Sequence, residues 1–184
     1  SVDEAIDRWV WYAGWADKIA QVMGSSNPVA GPYFDFSVPE ATGVVAVLAP
    51  QGSSLLGLVS VLAPVVVSGN TAVVVASQQR PLPAVTLAEV LGTSDVPGGV
   101  VNVLTGTTAE IAPWLASHMD VNAIDLTGIA GDEDQGRALE VQAAENLKRV
   151  MRASDTEPDW TSEPGLDRIT LFLETKTVWH PVGQ

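Results

Sequence analysis

The sequence predicts an α/β fold in which a parallel sheet is covered by helices on both faces. Two observations predict it: apolar runs of strand length alternate with helix-length stretches, and glycine, proline or a capping hydroxyl marks each change. A third is size, since 184 residues, 46% of them hydrophobic and 17% charged, suffice for one packed core with appendages.

The first stretch, Asp3 to Met23, carries Ile6, Val10, Ala13, Ala16, Ile19 and Ala20 at helical spacing and is closed by Gly24, which predicts one amphipathic helix. Trp9, Trp11 and Trp15 crowd it and read as packing or interface residues. Gly24 to Pro32 is loop by composition, and Tyr33, Phe34, Phe36 and Val38 form a short strand that Pro39 ends. Gly43-Val-Val-Ala-Val-Leu48 is a buried strand stopped by Pro50 and Gly52, and Ser53 or Ser54 caps a helix carrying Leu55 to Val67. Thr71 to Ala76 is the second strand, and Pro81 and Pro83 open the next helix, which Gly92 closes. Val100 to Leu104 is the third strand, Thr107 or Thr108 caps a helix through Ala116, and Val121 to Leu126 is the fourth strand. This order implies parallel strands joined by right-handed crossovers, hence a Rossmann-like sheet. A helix then runs from Arg137 to about Arg152, Ala153 to Gly165 reads as a polar linker, and Ile169 to Trp179 is a long strand with no local partner. The resulting division is 1–30 helix and loop, 31–42 strand, 43–152 Rossmann-like domain, 153–165 linker and 166–184 terminal strand.

Nine basic residues against 22 acidic ones give a net charge of −13, which argues against a nucleic-acid or anionic-membrane surface. The absence of cysteine excludes disulfides, thiolate metal sites and cysteine nucleophiles in this chain. The longest apolar run, Val59 to Val67, is broken by Ser60 and Pro64, and no secretory leader is apparent, so a soluble cytoplasmic protein is the expectation. Ser1 rather than Met stands first, which suits a trimmed chain or the ordered part of something longer.

The usual glycine-rich cofactor fingerprints are missing. His118 and His180 stand apart from carboxylates at ligand spacing, so no metal site is expected. Ser53, Ser54 and Ser68 form no nucleophile elbow and read as caps or turns. Asp132, Glu133 and Asp134 suit either a cation site or the acidic first turn of a helix, the second being favoured by the positive helix start.

Longer stretches carry a resemblance. Gly43-Val-Val-Ala-Val-Leu-Ala-Pro50, the run from Ser54 to Thr71, Val96-Pro-Gly-Gly-Val-Val-Asn-Val-Leu-Thr-Gly106 and Val121-Asn-Ala-Ile-Asp-Leu-Thr-Gly128 resemble the cofactor-domain core of the NAD(P)-dependent aldehyde dehydrogenases. Asn146-Leu-Lys-Arg-Val150 resembles the approach to that family's general base, and Glu174-Thr-Lys-Thr-Val-Trp179 its C-terminal oligomerisation strand. The resemblance implies that a catalytic domain, with its nucleophilic cysteine, would stand between Val150 and Leu166.

It also implies roles for single positions. Gly52 stands where the family has an oxyanion-binding asparagine, and Ala153 near its general base. Val75 and Gln78 match its ribose-binding lysine and glutamate, and of these only Gln78 can still bond a hydroxyl. Thr127-Gly128 leads to Ile129 instead of a phosphate-binding serine, and Asp132, Glu133 and Asp134 would repel a bound anion. Pro50, Gln78, Thr127 and Gly128 are therefore the candidate remnants of a degenerate cofactor site, with no cofactor expected or NAD held weakly.

The expected function is a non-catalytic aldehyde-dehydrogenase-like subunit, a pseudoenzyme pairing with itself or with a full-length aldehyde dehydrogenase. Tyr33, Phe34, Phe36, Leu171, Leu173, Val178 and Trp179 are the expected contacts. One alternative is a component of an active NAD(P)-dependent complex that helps handle cofactor or active site. Another is a plain nucleotide-binding module using Gln78 and the strand ends near Pro50, Thr105 and Thr127.

Overall fold

A computed structural model describes residues 1–183. The chain opens with helices α1 (Val2–Ala13) and α2 (Ile19–Met23), then strands β1 (Ser25–Asn27) and β2 (Tyr33–Ala41). There follow β3 (Val44–Leu48), α3 (Leu56–Val67), β4 (Thr71–Val75), α4 (Leu82–Gly92), β5 (Val101–Leu104), α5 (Thr108–Ser117) and β6 (Ala123–Asp125). A 3-10 turn (Thr127–Ile129), α6 (Glu133–Ala144), β7 (Arg149–Met151), α7 (Asp167–Leu171) and β8 (Leu173–Pro181) complete it.

Five strands form a wholly parallel sheet in the order β5-β4-β3-β6-β7. The chain builds outward from β3 through β4 to β5, then returns to the other side of β3 for β6 and β7. That reversal opens a crevice at the carboxyl ends of β3 and β6, where sheets of this kind take ligands.

Both faces of β3 are buried, as a central parallel strand requires. Val45 and Val47 join a core cluster with α3, while Ala46 and Leu48 join another with α5 and α6. Each buried valine or leucine among them contributes roughly 1.5–3 kcal/mol by burial. Helix α3 is buried at every position from Leu56 to Val65, which suits its lack of a polar face. The proline inside it, Pro64, is accommodated near its end, where Ser68 Oγ donates to the Pro64 carbonyl at 2.7 Å. Buried Asn70 then ties three elements: its Oδ1 accepts from Gly43 N at 2.7 Å, and its Nδ2 donates to Ser68 Oγ and to Phe172 O at 2.7 and 2.8 Å.

Several boundaries differ from expectation. The helix expected over 3–23 is two, since turns through 14–18 interrupt the hydrogen-bond ladder between α1 and α2. The helix expected from Arg137 begins at Glu133, because Asp132 caps it by accepting from Gln135 N at 3.0 Å. It ends early because Leu147 takes a left-handed backbone, φ 55°, and β7 follows as an unforeseen fifth strand. The terminal strand begins only at Leu173, after the short helix α7. It pairs antiparallel with β2 over nine residues, Tyr33 opposite Pro181 through Ala41 opposite Leu173, in a second sheet ordered β1-β2-β8. Pro39 does not end β2, which continues to Ala41.

Candidate functional site

The loops at the carboxyl edge are laced together by their own side chains. Gln51 Nε2 donates to Ala49 O at 2.9 Å, its Oε1 accepts from Gln78 N at 2.9 Å, and Arg80 Nη1 donates to Gly52 O at 2.9 Å. Gln78 is exposed and its Oε1 accepts from Thr108 N at 3.3 Å, so it joins the loop after β4 to the start of α5. Pro50, Thr127 and Gly128 are buried. A Cβ on Gly128 would overlap the carbonyl oxygens of Leu48 and Ala49, so the 3-10 turn rests directly on the end of β3 and only glycine fits there. Of the four sequence candidates, Pro50, Thr127 and Gly128 thus pack at the carboxyl ends of β3 and β6, while Gln78 lies on the loop after β4 and reaches the start of α5. Val75, at the ribose-lysine position, is fully buried in the sheet.

Beneath the crevice lies a polar cluster that periodicity alone did not reveal. Asp125, wholly buried at the end of β6, accepts from Thr127 N at 2.9 Å, from the Thr127 hydroxyl and from Arg168 Nη1. Arg168 Nη2 donates to Thr127 Oγ1 at 2.9 Å, and the guanidinium lies 5.6 Å from the Trp160 ring centroid. A lone aspartate in an otherwise apolar strand was the available signal.

Tyr12 of α1 lines the same region with Arg8 and Arg168. Burial raises its phenol above the ordinary 10.0, with Arg168 and Arg8 opposing and Asp125 assisting. In this pH range the unfolded chain loses the Tyr12 proton first. Its stability contribution is therefore intact below pH ~10 and is lost as pH rises through the folded value. Urea midpoints between pH 9 and 11.5 should fall, and the fall should be shallower in Tyr12→Phe; identical slopes would refute the assignment.

The segment expected to be a free linker is instead docked. From β7 the chain places Ser154 O against Gly131 N, beyond β6, at 3.0 Å. The Glu157 carboxylate then accepts from Gly52 N at 2.8 Å and Ser53 N at 2.9 Å, just after β3, and from Trp160 Nε1 at 2.9 Å. Arg8 holds the far end through the carbonyls of Trp160 and Ser162 at 2.7 and 2.8 Å. The bonds from Gly52, Ser53 and Arg8 join residues more than a hundred positions apart, so local composition carries no trace of them.

Other candidates separate. Asp132, Glu133 and Asp134 are the cap and first turn of α6, and Glu133 pairs with Arg137 at 2.6 Å. His118 follows α5 and His180 lies in β8. Tyr33 and Trp179 meet edge to face at 5.7 Å and are exposed, whereas Leu173 is in the chain's own core and Leu171 belongs to α7. An apolar cavity of about 760 Å³ lies elsewhere, between α1, α3 and α4. Among the described residues, no helix is long and apolar enough to cross a membrane.

The strand order and the crevice at its reversal define a dinucleotide-fold domain of the Rossmann class. Residues 1–153 match the aldehyde dehydrogenase family, to which the chain belongs. Mitochondrial aldehyde dehydrogenase of Sus scrofa is 34% identical over 164 residues, covering 83% of this chain and 30% of the relative. Cytosolic aldehyde dehydrogenase 1 of Elephantulus edwardii is 33% identical over 150 residues, covering 81% of this chain and 29% of the relative. The NAD+ complex of aldehyde dehydrogenase from Bacillus cereus aligns with a TM-score of 0.74 at 26% identity, covering 81% of this chain and 29% of that one. The chain thus spans about three-tenths of the length of these relatives. The expectation of no cofactor, or of NAD held only weakly, is corrected by that last match, in which a domain of the same build belongs to an enzyme holding NAD+.

Proposed function

We propose that the chain is a non-catalytic aldehyde-dehydrogenase-family subunit that takes NAD+ at its sheet crevice. It assembles through β8 with a full-length aldehyde dehydrogenase or with a second copy. The observation that carries the assembly is the free outer edge of β8: nine residues pair with β2 on one side, and no strand covers the other among the described residues. A long uncovered edge is a template for another chain. The exposed Tyr33–Trp179 aromatic pair at its end extends the same surface.

The nicotinamide cofactor enters this reading from the relatives, and the local groups suit it in kind. The amides of Gly52 and Ser53 form a cradle that accepts a carboxylate, hence an anion, and Gly52 lets the backbone approach closely. Gly128 keeps the turn after β6 low against the end of β3. When bound, NAD+ supplies a hydride acceptor. This chain has no cysteine, so it supplies no thiolate to attack an aldehyde, and that group would come from the partner. A cytoplasmic location is part of the proposal, supported by the cytosolic relative.

Sedimentation of the chain alone and mixed with a full-length aldehyde dehydrogenase tests the assembly. A species heavier than the 19.3 kDa monomer, or co-sedimentation with the enzyme, is expected. A strict monomer in both runs would refute it. Aldehyde-dependent reduction of NAD+ by the purified chain alone would refute the non-catalytic part.

A further inference from the structure

We infer that residues 153–165 form a self-blocking strap: they lie across the nucleotide crevice, and NAD+ can enter only when the strap leaves. The inference rests on the cofactor reading above and adds regulation to it. Its first support is placement. One anchor, Ser154 O on Gly131 N, is on the β6 side of the crevice, and the next, Glu157 on Gly52 N and Ser53 N, is on the β3 side. The backbone between them therefore passes from one lip to the other at the topological switch point, where a dinucleotide lies in this class of sheet.

Charge gives the second support. The Glu157 carboxylate occupies the two amides best placed to receive the anionic part of a dinucleotide. The cradle closes around it, since a Cβ on Gly52 would come within 3.1 Å of Glu157 Oε2. Asp155 and the Asp132 and Glu133 carboxyls line the adjoining hollow, so a docked strap also brings negative charge to the path of an incoming diphosphate. An anion and Glu157 cannot share the amides, and binding of one releases the other.

The third support is how lightly the strap is held. Trp160 is its only buried residue, Ala153 packs half-buried against the core beside α6, and the remaining attachments are chiefly hydrogen bonds at the rim from Arg8 and to Glu157. Both ends are fixed in regular structure, at β7 and α7, so the strap can lift as a loop while the sheet stays folded. Apparent cofactor affinity is then the intrinsic affinity multiplied by the fraction of molecules with the strap lifted.

The test combines hydrogen exchange and calorimetric titration of NAD+ on the wild type, Glu157→Ala and the double variant Arg8→Ala/Glu157→Ala. Both variants should exchange faster across 153–165, NAD+ should speed exchange of the same amides in the wild type, and Glu157→Ala should bind NAD+ on the order of tenfold more tightly. Equal affinities in all three proteins, with strap exchange unaffected by NAD+, would overturn the inference and leave the cofactor reading standing. Absence of NAD+ binding even where exchange shows the strap released would remove the cofactor reading and the inference with it. Unchanged strap exchange in the double variant would show that these contacts do not hold the strap, and would also overturn it.

Discussion

Arg168→Met should cost about 3 kcal/mol of unfolding free energy, because it leaves the Asp125 carboxylate buried without its counter-charge. The Asp125 side chain is fully inaccessible, and that of Arg168 is only 17% exposed, so water cannot replace the lost partner easily. The same change frees Thr127 Oγ1 from a donor and removes the guanidinium from the face of Trp160. A second variant separates the charge effect from lost packing. Asp125→Asn/Arg168→Met keeps an acceptor for Thr127 N while removing both charges, and should recover more than half of the loss. Urea denaturation of wild type, single and double variants gives the comparison. A loss under about 1 kcal/mol in the single variant, or a double variant no more stable than it, would show that the ion pair does not anchor α7 to the sheet.

The parallel sheet is legible because its inner strands are largely buried on both faces, and such strands announce themselves as continuous apolar runs: Gly43 to Leu48 and Thr71 to Ala76 leave little alternative. β7 is not, since Arg149-Val-Met151 is three residues long and half-buried throughout, and the preceding helical pattern runs straight into it. Its beginning is set by the left-handed Leu147, a conformation that leucine does not advertise. The same limit governs the site. Gln78 and Gly128 were found by resemblance, but their observed work is structural, one bonding Thr108 N and the other fitting beneath two carbonyls. Glu157, Arg8 and Arg168 escaped notice because each acts on a partner distant in sequence. An acidic, proline-containing segment reads as solvated until the amides that donate to its glutamate are known. The cofactor expectation is overturned from a different direction: it weighs the identities of single side chains, whereas the correction comes from the fold shared with a solved NAD+ complex.

Gly128→Ala should destabilise by about 3 kcal/mol, although it adds a single methyl group. The added carbon would fall on the carbonyl oxygens of Leu48 and Ala49, which are backbone atoms at the end of a strand buried from Val45 to Leu48 between α3 on one side and α5 and α6 on the other. Neither side can yield cheaply: the Ala49 amide is bonded to Val75 O at 2.9 Å, and the 3-10 turn carries Thr127, which is locked to Asp125 and Arg168. Gly92→Ala is the control. It meets nothing within 4 Å and has ordinary helical geometry at the end of α4, so it should be neutral or stabilising by up to ~1 kcal/mol. Equal stabilities for the two variants would mean that the turn after β6 can lift away from β3, and the crevice floor would then be a movable surface rather than the fixed one on which the cofactor reading depends.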